Sequence, residues 1–129
     1  MRTTRRFHLS LALVILLAVP GCVHAPPNLS PSGVAAFNAT RVVKALDVLR
    51  DFAVDANAQI PPLLSTATTR KVVTYHRSAV TTIGAVPSGW VPVVTTGLDE
   101  VLRDLPDTER ATLTPYVALV KTLILEVSR

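Results

Sequence analysis

The sequence predicts an all-α protein, a small antiparallel bundle of three or four helices that follows an N-terminal signal peptide. Three observations predict this fold class. Apolar residues recur at steps of three and four over long stretches, prolines fall between those stretches, and the strict apolar–polar alternation of strands is absent. The connections between these stretches are short, and short connections favour antiparallel neighbours.

The first helix is predicted over residues 32–59. Ser30 or Ser32 can cap it, and Pro31 suits its first turn. Its apolar residues are spaced alternately by four and three, which draws a single seam along one face. The seam consists of Ala35, Ala39, Val42, Leu46, Leu49, Ala53, Ala56 and Ile60. Asp47, Asp51 and Asp55 lie one turn apart, and we expect a solvated face there because a calcium site needs oxygens converging from a loop.

The second helix is predicted over Thr66–Ile83. One face carries Val72, Val73, His76, Ala79, Val80 and Ile83. The many Thr and Val residues lower the helix propensity, so a strand is the alternative, although strict alternation is missing. The segment from Gly84 to Gly89 contains Pro87 and is expected to form the turn that ends this element.

Two further helices are predicted after that turn. The third covers Trp90–Leu105, with Pro92 in its first turn and one side formed by Trp90, Val94, Leu98, Val101 and Leu105. The fourth follows Pro106, with Asp107 or Thr114 as its cap and Pro115 either starting or bending it. Its apolar stripe is Leu113, Val117, Val120, Ile124 and Val127.

The first 21 residues have the pattern of an export signal. Arg2, Arg5 and Arg6 precede an apolar run from Leu9 to Val19. A basic start before about a dozen apolar residues is typical of a secretory signal peptide. The run is shorter than the roughly 20 residues that a membrane-spanning helix needs, and Pro20 would interrupt it.

The end of this run, Val19-Pro20-Gly21-Cys22, resembles the lipobox of bacterial lipoprotein precursors. In that family an aliphatic residue, a tolerant position and a small residue precede the cysteine that is lipidated. Pro20 departs from the pattern, since Ala, Ser or Thr is usual there. The resemblance implies cleavage between Gly21 and Cys22, attachment of acyl chains such as palmitate to Cys22, and anchoring to the lipid bilayer. Val23, where Asp would favour inner-membrane retention, points to the periplasmic face of the outer membrane in a Gram-negative cell.

Cys22 is the single cysteine of the chain, so an internal disulfide is impossible. The chain therefore divides into a signal peptide (1–21), a lipidated cysteine with a proline-rich tether (22–31) and a helical domain (32–129). Pro26, Pro27 and Pro31 favour an extended tether of about 3.1 Å per residue.

The basic character of the chain belongs to the signal peptide. The full sequence has 13 basic and 9 acidic residues, but three arginines lie before Cys22 and no acidic residue does. The remainder has ten basic residues against nine acidic ones, a net charge of +1. Such a balance gives no support for nucleic-acid binding.

No motif for catalysis, metal binding or a cofactor is present, so we expect a non-enzymatic protein without a cofactor. There is no H-E-x-x-H, G-x-S-x-G, phosphate-binding loop or dinucleotide fingerprint. His76 lacks convergent partners and is expected to pack in or near the core. Arg70, Lys71 and Arg77 make the second helix basic. We expect them to form a solvated face that weakly attracts the acidic third helix, and the alternative is a basic patch that binds anionic lipid, peptidoglycan or polymer.

Two classes of function remain. The first is an envelope lipoprotein whose bundle serves as an interaction or structural module, with an envelope protein as a possible partner. A variant of this class is a prophage lysis lipoprotein, because the chain resembles outer-membrane spanin subunits in being small, lipidated and proline-rich after the cysteine. The second class is a small ligand-binding protein or enzyme with a pocket near His76 and Tyr75.

Overall fold

The computed structural model describes residues 24–87 and 89–129. This part of the chain contains four helices and no strand: α1 (Pro31–Asn57), α2 (Thr66–Ala85), α3 (Trp90–Leu102) and α4 (Asp107–Val127). The predicted all-α class is confirmed, with four helices. The β-branched residues of α2 do not divert it into a strand, which shows that tertiary packing overrides the local propensity there.

The four helices form a closed antiparallel ring. Each helix packs on the next in sequence, and α4 returns to pack on α1. The direction of the helices is visible in single contacts. Arg41, early in α1, contacts Glu126 at the end of α4, and Thr69, early in α2, donates to the carbonyl of Ala53 late in α1. All helices therefore bury their apolar stripes against one shared core.

The seam predicted for α1 is correct over its central part, but Ala35 near its start is exposed. Its buried residues are Val42, Leu46, Leu49, Ala53 and Ala56. Ser30 caps the helix by accepting a hydrogen bond from the backbone N–H of Gly33 at 3.2 Å, and Pro31 is the first helical residue.

The predicted burial is wrong at the last position of the seam, because Ile60 is 99% exposed. The helix ends at Asn57, three residues earlier, and the Ile60–Pro61 peptide bond is cis. Proline disfavours helical backbone in the residue before it, so the seam pattern continues past the point at which the helix can continue.

The stripes predicted for α3 and α4 form the other half of the core. Trp90, Val94, Leu98, Val101 and Leu105 are all buried, although α3 ends at Leu102 and Leu105 belongs to the following turn. In α4 the buried residues include Leu113, Val117, Val120 and Ile124, while Val127 is partly buried.

The start of α4 differs from the prediction. The helix begins at Asp107, its cap position is Pro106, and no side chain caps it, so neither Asp107 nor Thr114 has the predicted role. Pro115 lies inside the helix and does not start it. Both Pro115 and Ala111, four residues before it, are exposed. The Ala111 carbonyl, which loses its helical donor to proline, therefore faces solvent.

Aromatic packing joins α1 to α4. The rings of Phe52 and Tyr116 are stacked with centroids 3.9 Å apart. The Tyr116 hydroxyl is buried without a hydrogen-bond partner, and burial raises the pKa of this tyrosine. The contact between Phe52 and Tyr116 is therefore an apolar ring contact, to which the Tyr116 hydroxyl adds no hydrogen bond in the described part of the chain.

The bundle has two unlike ends. We call the first the distal end: the end of α1, the α1–α2 connection (58–65), the α3–α4 connection (103–106) and the starts of α2 and α4. We call the second the tether end: the start of α1, the α2–α3 connection (86–89) and the end of α4. The tether predicted from the prolines enters α1 at the tether end.

Glu109 of α4 holds the start of α2 at the distal end. Its carboxylate accepts from the backbone N–H of Ser65 at 2.8 Å, from the Ser65 hydroxyl at 3.3 Å and from the Thr68 hydroxyl. Burial opposes ionisation of Glu109, but these hydrogen bonds outweigh it and lower its pKa. The positive end of the helix dipole also stabilises a negative charge beside the first turn of a helix.

Side-chain hydrogen bonds also hold the two connections at the distal end. Asn57 donates to the carbonyl of Leu64 at 2.9 Å, and Leu64 itself is 1% exposed. Arg110 donates to the carbonyl of Leu105 at 2.9 Å. In the same connection Arg103 is extended and Asp104 has a φ of 62°, which matches the central residues of a type II turn.

At the tether end, the cap position of α3 is Gly89, which has no side chain with which to cap the helix. The Val86 N–H bonds to the carbonyl of Thr82 at 3.0 Å, within the same helix end. Because Arg41 lies level with Glu126, the first ten residues of α1 project about 15 Å beyond that level.

Candidate functional site

The site predicted from the sequence lies outside the described residues, since Gly21 and Cys22 both precede them. The described part of the tether, residues 24–30, is not helical, and the N–H of Leu29 bonds to the carbonyl of Pro26 at 3.2 Å. Seven residues of non-helical chain thus lead into α1 at the tether end.

His76 links α2 to α1. Its Nε2 lies 2.7 Å from Oδ1 of Asp47 and 3.4 Å from Nη1 of Arg50. Arg50 in turn contacts Asp47 at 3.2 Å and Asp51 at 2.7 Å. The His76 side chain is 14% exposed, which agrees with the expectation that it packs at the edge of the core.

A histidine–carboxylate pair can orient a general base, but general-base catalysis also needs a nucleophile or substrate proton within hydrogen-bond reach. Among the described residues, His76 Nε2 donates to the Asp47 carboxylate at 2.7 Å, and Arg50 Nη1, itself a donor, lies 3.4 Å from the same nitrogen. This geometry is that of a polar cross-link between two helices. Asp47, expected on a solvated face, is instead the main partner in this cross-link.

An open groove of about 900 Å³ runs between α2 and α3. It lies beside Tyr75, as the pocket hypothesis expected, but His76 does not line it. Its walls combine apolar and small residues with hydroxyl groups. The apolar and small lining residues are Ala67, Ala79, Pro92, Val93, Val94, Gly97 and Val101, and the hydroxyls come from Thr74, Ser78, Thr82 and Thr96.

The floor of the groove depends on a close approach of Tyr75 to Gly97. The Tyr75 hydroxyl donates to the carbonyl of Val94 at 2.7 Å. A Cβ atom at Gly97 would overlap the Tyr75 ring, so glycine is what allows the ring to approach α3 this closely. Burial raises the pKa of Tyr75, which keeps the hydroxyl protonated and donating.

In the described part of the chain, the charged side chains at the rim of the groove form no ion pair across it. Arg70 and Lys71 of α2 and Glu100 of α3 all line the groove, yet no ion pair joins α2 to α3 in the described part of the chain. Lys71 donates to the carbonyl of Arg103 at 2.7 Å, and Asp99 pairs with Lys121 of α4. The expected attraction between the charged faces of these helices is thus not made through ion pairs.

The groove was not predictable from periodicity. The pattern places Tyr75 and Gly97 on helices but not against each other, because the register between α2 and α3 depends on the length of the turn at Pro87. One signal was available: a run of small side chains at 74, 78 and 82 marks a helix face that cannot fill the space beside it.

Neither a metal site nor a membrane-spanning helix is seen in the described ranges. No group of three or more His, Cys, Asp or Glu residues in 24–87 and 89–129 could hold a metal ion. None of the four helices is long and apolar enough to cross a membrane.

No protein-family model, curated protein or solved structure matches this chain.

Proposed function

We propose that the protein is an envelope lipoprotein, anchored to a bilayer through Cys22, whose four-helix bundle acts as a non-catalytic interaction or structural module. One observation carries the proposal: the basic start and apolar run end in Val19-Pro20-Gly21-Cys22, the sequence that resembles a lipobox. A diacylglyceryl group with a further acyl chain supplies more than one hydrocarbon chain, which stable anchoring requires.

The architecture that follows Cys22 is compatible with this role. The tether is non-helical and enters the bundle at one end, so one end of the domain faces the surface to which its N-terminus is attached. The core contains apolar side chains and one buried polar residue, Thr68, among the described residues. These features favour a rigid, displayed domain.

The test compares wild type, Cys22→Ser and Ala25→Ser by intact mass and membrane fractionation. We expect the wild type and Ala25→Ser to begin at an acylated Cys22 and to fractionate with membranes. Cys22→Ser keeps a side chain of similar size but cannot form the thioether to the lipid, so it should carry no acyl mass and leave the membrane fraction.

A wild-type protein that retains residues 1–21, or that lacks acyl mass, would contradict the proposal. The bundle would then belong to a secreted or signal-anchored protein. The lysis variant of the proposal makes the same prediction for Cys22 and differs in gene context, where neighbouring lysis genes would favour it.

A further inference from the structure

Charged side chains are distributed unevenly along the bundle. The sequence contains none from Ala25 to Thr40 and none from Ser78 to Leu98. The first stretch covers the described tether and the first turns of α1. The second covers the last two turns of α2, the α2–α3 connection and most of α3. In an antiparallel bundle these two stretches come together at the tether end.

The ion pair between Arg41 and Glu126 marks where this uncharged region stops. Its atoms are 3.2 Å apart, and it joins α1 to the last turn of α4. Between this level and the tether, the described chain contains one Lys, Arg, Asp or Glu, which is Arg129. The other charged residues of the bundle lie level with this pair or farther toward the distal end.

Apolar side chains are exposed in the same region. Leu29 is 40% exposed just before α1, Val86 is 44% exposed in the α2–α3 connection, and Val93 is 57% exposed in the first turns of α3. They come from separate segments of the chain, which the topology brings to one end. An end that exposes apolar groups and lacks charges is poorly suited to water and well suited to a less polar surface.

We propose that the tether end of the bundle lies in the headgroup region of the bilayer to which Cys22 is attached, with Val86 and Val93 directed toward the acyl chains. This orientation rests on the proposed lipid anchor. Bringing a charge against the acyl chains is costly, whereas hydroxyl and backbone groups can still form hydrogen bonds among headgroups. Apart from Arg129, the helices and connection of the tether end carry no Lys, Arg, Asp or Glu beyond the Arg41–Glu126 pair, so this end meets that requirement better than the charged distal end.

The length of the tether favours the bilayer over a protein partner at this end. The eight residues from Val23 to Ser30 span about 25 Å when extended. The tether end therefore always stays within that distance of the lipid, and a partner would have to enter the narrow space between them.

The distal end provides a matched control. Ile60 is 99% exposed and Leu63 is 46% exposed, so this end also presents two apolar side chains. They lie at the far end of α1, a helix of 27 residues and about 40 Å, and therefore away from the membrane in the proposed orientation.

Trp90 is a natural reporter for the test. It is the single tryptophan of the chain, and it begins α3 at the tether end, where it is 6% exposed. The full lipidated protein is placed in phosphatidylcholine vesicles whose acyl chains carry bromine close to the headgroup, a short-range quencher of tryptophan fluorescence. Vesicles without bromine give the reference, and flotation measures attachment.

We expect the wild type to float with the vesicles and to lose Trp90 fluorescence in the brominated ones. The double variant Val86→Asp, Val93→Asp should still float through its lipid but lose the quenching. Asp at position 93 lies near the N-terminus of α3, where a negative charge is tolerated. The double variant Ile60→Asp, Leu63→Asp should be quenched like the wild type.

Each other outcome decides against the orientation. Floating wild-type protein whose Trp90 is not quenched overturns it and leaves the anchor standing. Equal quenching in wild type and in the Val86, Val93 variant also overturns it, because the exposed apolar residues then have no part in the contact. A wild-type protein that does not float overturns the anchor and the orientation together.

Discussion

The two ends of the bundle are built from different chemistry. At the distal end, carboxylate, amide and guanidinium groups fasten the connections, as Glu109, Asn57 and Arg110 show. At the tether end the cap position of α3 is a glycine, and the sequence from Ser78 to Leu98 carries no charge. Stability that depends on specific polar contacts is therefore concentrated at the end farthest from the tether.

Removing a buried side chain should show most clearly how much more one end contributes to stability than the other. Leu64→Ala deletes a side chain that is 1% exposed in the distal connection, and we expect a loss of about 2–5 kcal/mol in the free energy of unfolding. Val86→Ala changes a side chain that is 44% exposed in the tether-end connection, and should cost less than about 0.5 kcal/mol. Urea unfolding of both variants checks the difference, and equal losses would contradict the comparison.

The Glu109 contact should have the next largest effect. Glu109→Ala leaves the Ser65 N–H and the partly buried Thr68 hydroxyl without their acceptor, so we expect a loss of about 1–3 kcal/mol at neutral pH. The control is Asp107→Ala, whose side chain is 97% exposed and whose ion pair with Arg110 should contribute about 0–1 kcal/mol.

The same contact predicts a pH dependence. The pKa of Glu109 is lower in the folded protein than its ordinary value of 4.5. Its ionised form therefore stabilises the fold fully above that value, and the contribution is lost as the pH falls through the lower folded pKa. Urea titrations below pH 4.5 should show the wild type converging toward Glu109→Ala. A constant gap across this range would show that the charge of Glu109 does not stabilise the start of α2.

The smallest predicted effect is a gain. Asp104 has a φ of 62° in the distal turn, a backbone conformation that glycine adopts without steric cost. Asp104→Gly should stabilise the protein by about 0.5 kcal/mol, and Asp104→Ala should destabilise it. Thermal melts of the two variants check the sign. A lower melting temperature for the glycine variant would mean that the turn is not strained by aspartate.

The fold followed from the sequence to the extent that periodicity controls it. The spacing of Val42, Leu46 and Leu49 in α1, and of Val94 and Leu98 in α3, requires no knowledge of their neighbours. Periodicity failed at Ile60, because the pattern of apolar residues continues into a proline connection where a helix cannot.

The contacts of the candidate site were less accessible to sequence reasoning. The pairing of His76 with Asp47, and the position of Tyr75 on Gly97, depend on how far each helix is displaced along its neighbour. That displacement is determined by the geometry of the α1–α2 and α2–α3 connections, which residue patterns do not specify. The lipobox-like sequence is a continuous stretch of chain, so it could be recognised without knowing how the helices are aligned. Its role remains a prediction.

The ring in which each helix packs on its successor has a consequence for the order of folding. Contacts of α1 with α2, α2 with α3 and α3 with α4 join segments that are close in sequence, and a fold dominated by such contacts is expected to form rapidly. A chain that emerges from its N-terminus can pair each new helix with the one before it. Among the four described helices, α1 and α4 are farthest apart in sequence, so their packing closes the ring, and the stacked rings of Phe52 and Tyr116 belong to the step that completes the domain.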